Sequence, residues 1–348
     1  MTLFPFETWR RLVSRELRLS AVRTAIYGEP AGLKGLRSAI ARHIGVSRAV
    51  KADPDSVTVT SGAQQAFDLI ARVLLEPGDC VAVEEPGYPP PQLLMHSLGA
   101  RVCHVRVDSQ GLVVKDLPAD AKLVYVSPAH QFPLGMPMSL SRRMELLTWA
   151  SERDAAIIED DYDSEFRFGG RPIETLYGLD TCGRVLYVGT FSKTMMPAIR
   201  LGFVIAPPSL QQALHIARHV SDWHPPLATQ AALAHFIDEG LLARHIRKMR
   251  TEYKARHERI LQVLAEQGGW LRPIESAAGL HLTALLPRGR HLSARALLHR
   301  TDRSGLAVNS LSAFYANRAP QSGLVLGYGA IPLPKIEDGL QLLRRVLS

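Results

Sequence analysis

Three cysteines among 348 residues, Cys80, Cys103 and Cys182, are too few and too scattered for a disulfide framework or a thiolate metal site. They read as free thiols of a reducing compartment, and the cytoplasm is the expected location. No apolar run is long and charge-free enough to span a bilayer, so no membrane association is expected. Glu7, Arg10 and Arg11 interrupt the opening residues, which therefore lack the apolar stretch of a signal peptide. The serine-hydrolase pattern G-x-S-x-G and the phosphate-loop pattern G-x-x-x-x-G-K-[ST] are both absent. Gly327-Tyr328-Gly329 lacks the helix start that a dinucleotide site needs. His215 and His219 have helical i, i+4 spacing, but Ile216-Ala217-Arg218 between them lacks the glutamate of a zinc protease; they read as a helix-surface pair.

What is present is an ordinary globular composition, 46% hydrophobic and 21% charged, on a chain long enough for a large and a small lobe. The net charge of +8 could attract anions or nucleic acid. Its arginines concentrate at Arg10, Arg11, Arg15, Arg18 and Arg23 and again at Arg244, Arg247, Arg250, Arg256 and Arg259, where amphipathic helix faces explain them without a nucleic-acid partner. Strands are predicted at Ser56–Thr60, Cys80–Glu84, Val102–Val107, Leu123–Val126, Ala156–Glu159, Val185–Gly189 and Leu201–Ile205. Helices at Gln64–Leu75, Pro91–Leu98 and Ser141–Arg153 alternate with them, after an opening helix at Glu7–Leu19. Such alternation with apolar strands implies an α/β fold: a mostly parallel central sheet sandwiched by helices. Beyond Pro226 the pattern changes to one long helical stretch reaching Gln267, a strand at Leu280–Leu286, a helix at Ser293–Arg303 and a closing helix at Lys335–Leu347. The expected organisation is an N-terminal arm over 1–25 that packs on the small domain, a large domain over 26–226 and a smaller α+β domain over 227–348.

In open parallel sheets ligands collect at the carboxyl ends of strands, and three strand ends carry unusual residues. Thr60-Ser61-Gly62-Ala63-Gln64-Gln65 joins a strand to a helix; it is either a phosphate-binding helix start or a plain cap. Glu159-Asp160-Asp161-Tyr162-Asp163 crowds acids at a strand end, where they must be solvated, bind a cation, or pair with a protonated heterocycle. Gly189-Thr190-Phe191-Ser192-Lys193-Thr194 offers either a surface lysine or a desolvated one able to form a Schiff base, with Arg200 available to clamp a phosphate.

One ligand suits all three: pyridoxal 5'-phosphate (PLP), which has a phosphate, a ring nitrogen and an aldehyde. The chain resembles the fold-type I PLP-dependent aminotransferases, in particular the aminotransferase-like effector domain of MocR/GabR-type regulators. The resemblance is carried by Phe4-Pro5-Phe6-Glu7-Thr8-Trp9, Tyr27-Gly28-Glu29-Pro30-Ala31-Gly32-Leu33, Glu84-Glu85-Pro86-Gly87-Tyr88, His130-Gln131-Phe132-Pro133-Leu134-Gly135, Glu159 through Phe166, and Gly189 through Lys193. It implies that Lys193 is the Schiff-base lysine and proton carrier, that Asp160 keeps the pyridine nitrogen protonated, and that Tyr162 donates to the ring's 3'-oxygen. It further implies that Tyr88 stacks on the ring and that Gly62, Ala63, Gln64, Thr190, Ser192 and Arg200 hold the phosphate. Tyr27 matches a tyrosine that reaches the neighbouring subunit's phosphate, which implies a homodimer; Tyr27 and Tyr88 also admit a simple core role. Gln131 is expected near the ring without an assigned contact, and no metal is expected.

Two departures bear on function. Aminotransferases of this fold usually clamp the substrate carboxylate with an arginine, and in the matching segment Gly323-Leu324-Val325-Leu326-Gly327 that place belongs to Val325. Either another arginine serves, or the ligand is not an ordinary α-amino acid; an amine, an ω-amino or a phosphorylated substrate then gains ground. Secondly, fewer than thirty residues precede Tyr27, which leaves no room for the winged helix of the full regulators, so direct DNA binding by this chain is not expected. The expected function is amino transfer between a small amine or amino acid and an oxo acid. The alternative is a non-catalytic PLP- and amine-sensing effector domain.

Overall fold

A computed structural model describes residues 3–18, 26–169, 173–276, 278–287, 297, 301, 304–317 and 322–347. It opens with helices α1 (Phe6–Glu16) and α2 (Lys34–Arg48), followed by β1 (Val57–Thr60) and α3 (Ala63–Leu74). Next come β2 (Cys80–Glu85), α4 (Pro89–Ser97), β3 (Arg101–Asp108), β4 (Gly111–Leu112), β5 (Ala121–Val126) and α5 (Leu140–Glu152). The series continues through β6 (Ala156–Asp161), α6 (Leu176–Leu179), β7 (Val185–Thr190), β8 (Gly202–Ile205) and α7 (Pro208–Ser221).

These strands form one sheet in the order β1-β8-β7-β6-β5-β2-β3-β4. From β7 across to β3 the strands are parallel, whereas β8 is antiparallel to both of its neighbours and β4 folds back on β3. The reversal at β8 follows from its connection: residues 191–201 are too few for the helical crossover that a parallel strand requires. Period-2 alternation sorts the sheet's two faces. Val81, Val83, Leu123, Tyr125, Ile158 and Val188 pack with Phe67 and Ile70 of α3. Ala82, Val124, Val126, Ile157 and Val185 pack on the opposite side with Leu146, Leu147 and Ala150 of α5. Strand order turns around between β2 and β5, the kind of place where a crevice opens at the strands' carboxyl ends.

The single helical stretch expected after Pro226 is two helices, α8 (Leu227–Asp238) and α9 (Leu241–Glu266). Gly240 separates them in a left-handed conformation (φ 70°) that ends α8 and re-aims the chain. Trp9 and Phe4 of the N-terminal segment pack on Phe236 of α8, with ring centroids 6.1 and 6.4 Å apart. A second, antiparallel sheet follows, in the order β11 (Asn309–Ser310), β12 (Gly323–Gly327), β10 (His281–Leu285), β9 (Arg272–Pro273). The chain closes with α10 (Ile336–Leu347), whose Ile336, Leu340, Leu343 and Leu347 recur at helical spacing toward the core. Most of the helix expected at Ser293–Arg303, together with Arg23, lies outside the described residues. No helix among the described residues is long and apolar enough to cross a membrane.

Candidate active site

The loops after β1, β2, β5, β6 and β7 converge on a cavity of about 470 Å³, closed on its far side by the small sheet. Lys193, Asp160, Tyr162, Tyr88, Ala63, Gln64, Thr190, Ser192 and Arg200 all line it. Residues separated by as many as 137 positions in sequence thus meet in one space. Gly62 sits at the edge, as the residue that opens α3.

Strand alternation explains how the acidic run is shared out. Glu159 and Asp161 point to one face of β6 while Asp160 points to the other, into the cavity. Glu159 accepts from the main-chain N–H groups of Leu176 and Tyr177 at 2.9 and 2.8 Å. Asp161 is bound by Arg48 at 2.8 Å and by the Tyr187 hydroxyl at 2.6 Å. Asp163 receives the His130 Nδ1, 3.0 Å from both carboxylate oxygens. Each acid therefore has its own partner.

Asp160 is the exception in one respect. Its Oδ2 accepts a 2.5 Å hydrogen bond from Tyr125, while its Oδ1 is buried without a partner. Burial pushes its carboxyl up to about 7, with Asp161 and Asp163 adding to the rise and Tyr125 and Lys193 opposing it. A buried, unpaired acceptor is costly until something donates to it. A protonated ring nitrogen is such a donor, and its charge would return Asp160 to the anionic form.

The opposite end of the cavity suits an anion. Gly62 holds φ 83° and ψ 172°, open to glycine alone, and a Cβ there would stand 3.0 Å from the Arg200 guanidinium. Arg200 is itself left-handed (φ 50°) and donates to the Ser61 carbonyl at 3.0 Å, which brings its charge over the start of α3. No side chain caps α3, so the dipole and free N–H groups of its first turn face the cavity. Thr190 and Ser192 place their hydroxyls 3.0 Å apart beside it. These residues fit PLP: an orphaned acceptor for the ring nitrogen, a cationic helix start for the phosphate, and Lys193 lining the same cavity.

Several placements refine the expectations. Tyr162 gives its hydroxyl proton to the His130 carbonyl at 2.9 Å, so donation to a ring oxygen would require it to turn away from that bond. Burial, reinforced by Asp163 and Asp160, holds this phenol protonated well above the ordinary tyrosine range. Tyr88 stands at the rim, half-exposed, edge-on to Phe132 with centroids 5.5 Å apart. Tyr27 lies outside the cavity; it is 78% exposed and stacks on Trp223 at 4.8 Å. Gln131 braces neighbouring loops, donating to the carbonyls of Pro86 and Phe132 at 2.8 Å each, and does not line the cavity. His215 is half-buried and His219 packs on Trp223 at 4.4 Å.

Tyr125, Phe132, Asp163, His281 and Asn309 also line the cavity, although none was singled out as a ligand contact from sequence. Tyr125 was concealed in an apolar strand, and His281 and Asn309 come from the distant small sheet. His130, Asp163 and His281 bring ligand atoms within 4.8 Å of one another. Those atoms are already engaged: His130 Nδ1 with Asp163, and His281 Nε2 with the Pro133 carbonyl at 3.2 Å.

The aminotransferase class I and II family pattern matches residues 2–322. The chain is 38% identical over 344 residues to the probable rhizopine catabolism regulatory protein MocR of Rhizobium meliloti, a match covering 98% of this chain and 69% of that protein. It is 30% identical over 359 residues to aromatic-amino-acid aminotransferase 1 of Thermococcus litoralis, covering 99% and 85%. Among solved structures, Pyrococcus horikoshii kynurenine aminotransferase, crystallised with PMP, superposes with a TM-score of 0.89 at 30% identity, covering 99% of this chain and 88% of that one. Fold, cavity and sequence agree: the chain belongs to the aminotransferase class I and II family.

Proposed function

We propose that this chain holds PLP through Lys193 and receives a primary amine there, acting as an amine-recognising effector domain of the MocR type. The observation that carries the proposal is the buried, unpaired Oδ1 of Asp160 in the same cavity as Lys193. When bound, the coenzyme supplies an aldehyde that condenses with amines and a ring that withdraws electrons once its nitrogen is protonated. Asp160 would hold that nitrogen's proton, and Tyr125 would fix the carboxylate's orientation. The α3 start, Arg200, Thr190 and Ser192 would grip the phosphate, with Gly62 leaving room for the guanidinium. Lys193 would be the covalent anchor for the coenzyme and a general base within the cavity.

The 38% identity to a regulator over nearly the whole chain favours recognition over turnover. Transamination remains the second reading, supported by the intact Lys193 and Asp160 and by the 30% identity to an aminotransferase. Part of the proposal is a homodimer in which Tyr27 reaches the partner's phosphate site. The exposed aromatic pair Tyr27 and Trp223, with exposed Ile26 and Val220 on the same segments, supplies the apolar surface for it. Incubating PLP-loaded protein with primary amines and assaying for oxo product separates the two readings. A shifted coenzyme absorption without oxo product supports recognition; stoichiometric or repeated release of oxo product supports transamination.

A further inference from the structure

We infer that the ligand of this site is a primary amine bearing no carboxylate beside its nitrogen. The inference rests on the PLP reading and specifies the chemistry of the second ligand. Its basis is the distribution of charge around the cavity. Among the described lining residues the cations are Lys193 and Arg200, and the carboxylates are Asp160 and Asp163. Both cations belong to the large sheet's end of the cavity, and Arg200 is tied to Ser61 over the helix start. The two pairs of charges balance, and the coenzyme adds a phosphate of nearly two negative charges against one positive charge on its ring nitrogen, so the loaded cavity is anionic. An ammonium is drawn into such a field and a carboxylate is repelled.

Among its described residues, the opposite wall offers a carboxylate no cation. Strand pairing sets Asn309 and Thr283 on either side of Val325 in one cross-strand row. On the cavity side this wall presents His281, Asn309, Val325 and Gly327. Val325 is buried in an apolar cluster with Leu134 and Leu311, against Phe314 and Tyr315. Thr283 spends its hydroxyl proton on the Pro133 carbonyl at 2.5 Å. Burial, with His130 nearby, drives the His281 imidazole well below the ordinary histidine range, which favours its neutral form in the empty cavity. A carboxylate delivered to Val325 would lose its water and find no cation among the described lining residues. The Asn309 amide and the neutral imidazole suit hydroxyl or amide groups instead.

The test uses PLP-loaded protein and two ligand pairs differing only by a carboxylate: ethanolamine against serine, and 1-aminopropane against 2-aminobutyrate. The readout is the concentration that half-perturbs the coenzyme's visible absorption, which requires no turnover. Each amine should half-saturate at a concentration about 10-fold or more below its amino acid, the scale of one unmade charge-assisted bond. Equal or tighter binding of the amino acids would overturn the inference while leaving the coenzyme reading intact. Absence of any coenzyme band would overturn both. Val325→Arg, if it still loads PLP, should shift the ratio toward the amino acid by a similar factor; an unchanged ratio would contradict the placement of the ligand against this wall.

Discussion

Replacing Asp160 with asparagine isolates one atom of the proposed coenzyme site. The substitution preserves shape and leaves an amide oxygen to accept the Tyr125 hydroxyl, now 2.5 Å from the carboxylate. What changes is the position of the unpaired Oδ1. There the amide presents an N–H, a donor facing the donor on a protonated ring nitrogen. The loss is one charge-assisted hydrogen bond, about 1.5–3 kcal/mol, which corresponds to roughly 10- to 150-fold weaker coenzyme binding. Equilibrium titration of coenzyme-free protein with PLP, followed by absorbance and by dialysis, measures it. Thermal unfolding of the same coenzyme-free samples separates lost affinity from lost folding, because removing a buried carboxyl should not destabilise the empty protein at neutral pH. An Asp160→Asn protein that folds and binds PLP as tightly as the parent would refute the assignment of Asp160 to the ring nitrogen.

Other consequences follow from the same geometry. Arg48→Met should destabilise the fold by about 3–5 kcal/mol in urea titrations, because it leaves Asp161 buried without its 2.8 Å cation. Gly62→Ala should cost about 1–3 kcal/mol of backbone strain and weaken PLP binding by displacing Arg200, seen as a higher dissociation constant together with a lower Tm. Burial raises Asp160, Glu84 and Glu159 each to about 7. Their folded forms hold protons that the unfolded chain has already released, so their contribution is complete below pH ~4, where the unfolded carboxyls titrate, and is lost as pH rises through 7. Tm of the coenzyme-free protein should therefore fall between pH 5 and pH 8 by this mechanism, by less once PLP supplies a cation to Asp160; an equal slope with and without PLP would count against that pairing.

The parts legible in sequence were those with local signatures. β-branched runs ending in Ser61-Gly62 and Thr190 through Lys193 announced strand ends, and the structure puts both at one cavity. The acidic run was visible too, but not its division of labour, since the partners Arg48, Tyr125 and His130 lie between 33 and 113 residues away from the acids they bind. No local pattern specifies such pairings; they arise from sheet order. The small-sheet wall was hidden for the same reason, with His281 and Asn309 arriving from separate strands. The break at Gly240 is hard to see in sequence because helical periodicity resumes immediately on its far side. The antiparallel turn of β8 required attention to the length of its connection, not to its apolar content.

Lys193 is proposed as the amine that captures the coenzyme. Incubation of the protein with PLP, reduction with borohydride and peptide mapping test it most directly. A single phosphopyridoxyl group is expected on the peptide containing Lys193, and none in Lys193→Ala. A reduced adduct on a different lysine, or no adduct from a folded protein, would contradict it.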